Sequence, residues 1–332
     1  MEADLVTRAG VPFTAIPAAG VHGVGLRALP ANLARLVRGA LAARRILSEF
    51  KPDVIFFTGG YVAAPMAVAG FRKPILLYVP DIEPGLALHF LSHFSRVIAL
   101  TAEESKQYLK TRARLVVTGY PTRPELGQWN RAAARSHFNL SSDLPVLLIA
   151  GGSKGARSIN RPVIAALAGL LEMAQVVHIT GSFDKDAAEA AQAALPQELQ
   201  NRYRIFEYLH EDMGAALAAA DLAVTRAGAS TLGEYPLFGL PAILVPYQYA
   251  WRYQKVNADY LQRHGAALIL EAGQLANELL PTIHDLFANP QRLQAMRQAM
   301  QSLARPNAAS EIAGLLRDLA EKSKGGKGAQ SW

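Results

Sequence analysis

Along this chain, short uninterrupted apolar runs alternate with stretches whose apolar positions recur every three or four residues. The runs predict strands at Asp53–Phe57, Pro74–Val79, Arg96–Leu100 and Leu115–Thr118 in the first half. In the second half they predict strands at Pro145–Ala150, Gln175–Thr180, Tyr203–Phe206, Leu222–Thr225, Ala242–Val245 and Ala267–Leu270. Helical patterns such as RPVIAALAGLLEMA lie between most of them. A strand that is apolar at every position is buried on both faces, so the alternation predicts an α/β chain of parallel sheets covered by helices.

The stretch from Arg123 to Leu144 is polar and carries no strand pattern. It divides the chain into an expected first domain over 1–125 and a second over 126–306, with a helix over 307–322 that can pack back on the first. Residues 323–332, rich in Lys and Gly, are expected to form a disordered tail. Two doubly wound domains would face each other across a cleft, and such sheets bind ligands beyond the carboxyl ends of their strands. The run VIFFTGGYVAAPMAVAGF over 54–71 has the length of a membrane span. Its Gly59-Gly60 pair, Pro65 and β-branched start predict a strand, a turn and a buried helix instead.

Composition narrows the chemistry. With 51% apolar and 18% charged residues among 332, the chain is an ordinary globular one. It has no cysteine, which excludes disulfides, thiolate metal sites and a cysteine nucleophile. The opening MEADLVTRAG lacks the apolar segment of a secretory signal. A net charge of +7 favours an anionic partner: nucleic acid, an acidic membrane surface or a phosphorylated substrate. The arginines are not interleaved with stacking aromatics, which argues against nucleic acid. In residues 25–47, leucines mix with Arg27, Arg35, Arg38, Arg44 and Arg45. That pattern suits a helix lying on an anionic membrane surface, and equally a solvated helix with one buried face.

Candidate chemistry sits where strands give way to helices. LLIAGGSKGARSIN, over 147–160, is a strand, a glycine turn and a helix start whose free amides would attract phosphate. It matches neither the dinucleotide fingerprint nor the P-loop. In RAGASTLGE, over 226–234, Gly228, Ala229 and Ser230 leave room for a ligand at the backbone, and Thr231 is expected to begin a helix. Glu234 could then accept both hydroxyls of a ribose, or fold back on Thr231 as a plain capping box. Beyond the next strand, Gln254 and Asn257 share one helical face from which sugar hydroxyls can be reached. Together the three segments describe a nucleotide-sugar cleft.

These segments resemble those of the MurG family. MEADLV, AGVPFTAIPA, PDVIFFTGGYVAAP, VTGYPTRPE, GGSKGARSIN, RAGASTLGE, GLPAILVPYQ and QKVNA carry the resemblance over nearly the whole chain. It implies the two-domain GT-B fold and inverting transfer of N-acetylglucosamine from UDP-GlcNAc to lipid I, a polyprenyl-diphosphate-linked muramoyl peptide, giving lipid II. It implies no cofactor and no metal, and a peripheral enzyme at the cytoplasmic face of the plasma membrane. By position, the backbone near Leu209 would meet uracil, and Ser153 and Arg123 the nucleotide or its phosphates. Residues Ala229, Ser230 and Thr231 would cradle the diphosphate, with Leu232 and Gly233 completing the loop. Glu234 would take the ribose diol and Gln254 a sugar hydroxyl.

Three departures stand out. The family opens with a strand and a GGTGGH-like loop ahead of MEADLV, carrying a histidine proposed as base. The resemblance therefore implies an incomplete first domain: a fragment, a misplaced start, or a protein without turnover. His22 is a weak substitute for that base. The family's HEQN is YVPD here, so Asp81 stands where an asparagine near the donor is usual, and Gly233 replaces a usual serine. Asp184-Lys185-Asp186 resembles a metal-binding D-x-D but suits an acidic helix start. Two other functions remain: a transferase with another lipid or glycan acceptor, and a non-catalytic nucleotide-sugar-binding protein.

Overall fold

A computed structural model describes residues 3, 6, 7, 10–18, 29–152, 155–247 and 252–328. Among them are two all-parallel sheets. The first is ordered β1-β2-β3-β4: β1 (Ile55–Phe57), β2 (Ile75–Val79), β3 (Val97–Leu100) and β4 (Arg114–Val117). The second is ordered β10-β9-β8-β5-β6-β7. Its strands are β5 (Val146–Ala150), β6 (Gln175–Ile179), β7 (Tyr203–Phe206), β8 (Leu222–Thr225), β9 (Ala242–Leu244) and β10 (Ala267–Ile269). Each lies within or one residue beside the apolar run that predicts it.

Both sheets are covered on both faces, as such strands require. In β2, Ile75, Leu77 and Val79 pack with Leu88 and Leu91 of the helix Leu86–Ser92. The alternate side chains Leu76 and Tyr78 meet Ile312 and Leu319 of the helix Ala308–Gly328. In β5, Val146 and Leu148 enter one cluster, and Leu147 and Ile149 another. Each such side chain removed from water contributes about 1.5–3 kcal/mol.

The final helix runs to Gly328, beyond the predicted start of the tail at 323. In the added residues Lys324 pairs with Asp53 of the first domain at 3.1 Å. Residues 329–332 lie outside the described residues. The segment between the sheets holds a 3-10 turn, Pro124–Gln128, and a helix, Arg131–His137. Asp221 fastens that helix: it accepts from Arg131, from Arg135 at 2.7 Å and from the Val146 amide at 2.9 Å. Over 54–71, β1 and the helix Ala63–Ala69 flank the glycine turn, and among the described residues no helix is long and apolar enough to cross a membrane.

Candidate functional site

The second sheet changes direction between β5 and β8, because β6 and β7 extend it to one side and β9 and β10 to the other. Ligands of doubly wound sheets bind at such a switch point. Both glycine-rich loops leave these two strands, which pair from Leu147↔Leu222 to Ala150↔Thr225, so they emerge side by side. A cavity of about 760 Å³ opens over them, lined among others by Gly152, Ser158, Arg226, Ser230, Glu234 and Gln254. A recess of about 200 Å³, formed by Arg123, Tyr208, Leu209 and Glu234, adjoins it.

The loop after β5 is backed from inside its own domain. Gly155 has φ +73°, and a Cβ there would strike the Thr180 carbonyl oxygen. Asn160, fully buried, donates through Nδ2 to that same oxygen at 2.7 Å and to Asp184 at 2.8 Å. Its Oδ1 lies 3.0 Å from His178 Nε2, and His178 Nδ1 lies 2.7 Å from the Tyr203 hydroxyl. Burial pulls the His178 pKa down to about 3, so the ring is neutral near pH 7. An amide oxygen can only accept, so Nε2 carries the proton and Nδ1 accepts from the tyrosine.

Asp184 precedes the helix Lys185–Ala193 but makes no capping bond. The acidic helix start read from sequence is present, with Asp186 in the first turn, while the Asp184 carboxylate is drawn inward to Asn160 and lies 3.6 Å from Arg157. Ser153 lies outside the described residues, as does His22.

The loop after β8 differs from its sequence reading in two ways. Thr231 does not begin a helix. It lies inside a 3-10 turn, Ala229–Leu232, and an α-helix follows only at Glu234–Phe238. Thr231 Oγ1 donates to the Gly228 carbonyl at 2.6 Å, and its amide bonds that carbonyl at 3.0 Å. Thr231 is thus tied to Gly228, and no capping box with Glu234 forms. The amides with no partner inside the 3-10 turn fall at Ala229 and Ser230.

The Leu232 side chain is buried in the core, leaving only its peptide at the loop. Gly233 is explained by a neighbour: a Cβ there would lie 2.6 Å from the Tyr120 ring, which arrives from the first domain. Glu234 points to the cavity, and none of the hydrogen bonds or ion pairs among the described residues engages its carboxylate. Burial raises its pKa, and Arg123 beside it opposes that shift.

Arg123, Leu209, Ser230, Glu234 and Gln254 thus meet at one cleft. Gln254 accepts from the Tyr247 amide at 2.9 Å, leaving its NH2 group for a ligand. Asn257 is not beside it in the cavity. It is 0% exposed and its amide bonds Asp81, Ile82 and Ala227. The helical face inferred from sequence is real, but Asn257 is turned into the domain interface. Asp81 is held there with it.

Arg226 escaped the sequence reading. Its guanidinium donates to Val245 O at 2.9 Å and Ser158 Oγ at 2.5 Å, and lies 5.2 Å from the Tyr247 ring centre. It links the two loops at the cavity floor. A cation in the first position after a strand that ends at a ligand crevice was the available signal.

Comparison with known proteins places this geometry. The model for the glycosyltransferase family 28 C-terminal domain matches residues 146–312, and that for the family's N-terminal domain matches residues 1–99. A protein of Roseiflexus sp. (strain RS-1) is 41% identical, over 96% of this chain and 81% of its own. It is named UDP-N-acetylglucosamine--N-acetylmuramyl-(pentapeptide) pyrophosphoryl-undecaprenol N-acetylglucosamine transferase. A protein of the same name from Desulforamulus reducens is 36% identical, over 94% of this chain and 86% of its own. Among solved structures, MurG of Acinetobacter baumannii superposes with a TM-score of 0.76 at 27% identity, covering 96% of this chain and 88% of its own.

Proposed function

The chain belongs to glycosyltransferase family 28, and we propose that it transfers N-acetylglucosamine from UDP-GlcNAc to a polyprenyl-diphosphate-linked muramoyl peptide, converting lipid I to lipid II. The observation that carries the donor assignment is the convergence of two glycine-rich loops and Glu234 on one cavity at the sheet's switch point. UDP lies across that crevice. Its uracil enters the recess at Leu209 and Arg123, its ribose diol meets Glu234, and its diphosphate meets the Ala229 and Ser230 amides beside Arg226. Gln254 takes a sugar hydroxyl.

The reaction is a single displacement. The acceptor hydroxyl oxygen gives up its proton to solvent and forms a bond to the anomeric carbon, the bond from that carbon to the diphosphate oxygen breaks, and UDP leaves with the electron pair. Negative charge grows on the leaving diphosphate, where Arg226 and fixed amides stabilise it without reorganising. The opposite face of the cleft, in the first domain, receives the acceptor.

The membrane surface is part of the same proposal. On the helix Leu29–Phe50, Leu33, Val37 and Leu41 form an exposed stripe at four-residue spacing, with Arg38, Arg44 and Arg45 exposed around it. Gly39 and Ala43 are buried on another side, Gly39 against Pro65. Phe71 and Phe90 are exposed on the same domain. A lipid-linked acceptor is reached by a protein that lies on an anionic leaflet through such a face.

The test is a transfer assay with radiolabelled UDP-GlcNAc and lipid I, alongside other lipid acceptors. Label is expected in lipid II. Label only in other acceptors would remove the cell-wall assignment, and donor binding with no transfer to any acceptor would leave a binding protein.

A further inference from the structure

A fully buried amide lies where the two domains meet. Asn257, on the helix Tyr253–Arg263 of the second domain, accepts through Oδ1 from the Ile82 amide at 3.0 Å. Its Nδ2 donates to Asp81 Oδ1 at 2.7 Å and to the Ala227 carbonyl at 3.1 Å. Asp81 and Ile82 follow β2, at the carboxyl edge of the first sheet. Ala227 opens the loop that lines the donor cavity, where Gly228 and Ser230 follow it. One side chain therefore ties the acceptor-side domain to the loop that holds the donor.

The surroundings make this junction stiff. Ile82 is fully buried and packs among residues of the second domain, including Leu232 and Ala258. Glu83 pairs with Arg252 at 2.8 Å, next to the same helix. Asp81 accepts an amide hydrogen, which an asparagine at that position would also do through its own Oδ1. The cross-domain bond therefore does not depend on the charge of Asp81.

We propose that Asn257 is a positioning residue for the transfer: it sets the donor loop in register with the acceptor-side domain. This rests on the transferase reading above. Its effect belongs to the assembled transition state and not to donor binding, because the cavity contacts to UDP lie in the second domain and the recess beside it. A displacement of the two reactants by about 1 Å costs on the order of a hundredfold in rate.

Asn257→Asp keeps the size and the bond from Ile82 but loses both donated bonds and faces Asp81 with a like charge. It is expected to lower kcat at least about thirtyfold while the Kd for UDP-GlcNAc, by calorimetry, changes less than about threefold. Adding Asp81→Asn reverses the polarity of the pair, because the amide at 81 can now donate to the carboxylate at 257. That double variant is expected to recover at least about fivefold in kcat, which a role confined to the helix would not produce.

If Asn257→Asp does not fold, Asp81→Ala removes only the cross-domain acceptor and is expected to lower kcat about tenfold at unchanged donor affinity. Hydrogen exchange at the Ile82 amide reads the junction without activity. It is expected to be slow in the parent and faster in Asn257→Asp, where repulsion from Asp81 opens the junction more often although the carboxylate can still accept from Ile82. Absence of transfer by the parent would defeat the transferase reading and leave this readout standing. An unaltered kcat, a double variant no better than the single one, donor affinity lost in step with rate, or fast Ile82 exchange in the parent would each overturn the proposal.

Discussion

The two loops of the donor cavity leave neighbouring strands of one sheet, yet they are held in different ways. The loop after β5 is backed by Asn160, His178, Tyr203 and Asp184, all from the second domain and all buried. The loop after β8 is held across the cleft: Asn257 ties Ala227 to Asp81 and Ile82, and Tyr120 lies against Gly233. The first is shaped whether or not the domains are together. The second is placed relative to the first domain by their contact. In the proposed function the first loop serves as phosphate cradle and the second couples the donor to the domain that brings the acceptor.

Removing the backing of the first loop gives the largest expected effect. Asn160→Ala leaves His178 Nε2, the Thr180 carbonyl and Asp184 short of partners in a buried place. It is expected to cost about 3 kcal/mol of stability in urea denaturation, because unpaired buried polar groups keep their desolvation penalty. A loss under about 1 kcal/mol would show that the loop does not lean on this network.

Glu234→Ala tests the ligand side of the second loop. It is expected to weaken UDP-GlcNAc binding by about 2 kcal/mol in calorimetry, through loss of charge-assisted bonds to the ribose. In the parent, affinity should fall as pH drops through the raised pKa of Glu234, since a protonated carboxyl accepts less well. That acid limb should vanish in the variant.

Gly233→Ser tests the cross-cleft contact. The new Cβ meets the Tyr120 ring, an overpacking expected to cost about 1–2 kcal/mol of stability and to slow transfer. Tyr120→Ala in the same chain should relieve both effects. If it relieves neither, the loop and Tyr120 are not a matched pair.

The smallest effect separates the loops by pH. The folded pKa of His178 lies below that of the unfolded chain, so at pH above about 6.5 both states are neutral and nothing changes. As pH falls below about 6.5, the unfolded chain takes a proton that the folded one refuses, and stability falls by up to about 1.4 kcal/mol per unit. His178→Gln should flatten that slope.

The sequence made the frame of this protein readable and left its joints obscure. The strands were visible because most are largely buried and mainly apolar, as ILLYV in β2 and VLLIA in β5 are. The loops were visible because only glycine fits positions such as Gly155. Glu234, read as a ribose acceptor or a capping box, lines the cavity without forming that box. The 3-10 turn before Gly233 was not visible, nor was the Tyr120 ring that packs against Gly233 from more than a hundred residues earlier in the chain. Asn257 looks like any polar helix residue until Asp81 and Ile82 are brought to it. Asp184 likewise looks like a cap until Asn160 draws its carboxylate inward. What pattern cannot supply is the partner from a distant segment.

The most direct test of the central claim, that the loops after β5 and β8 jointly hold UDP, is a crystal structure with UDP-GlcNAc. The diphosphate is expected between Gly152 and Ser230, near Arg226, with the ribose hydroxyls on the Glu234 carboxylate. Nucleotide bound away from this cavity, or lying in it with Glu234 turned from the ribose, would contradict the account.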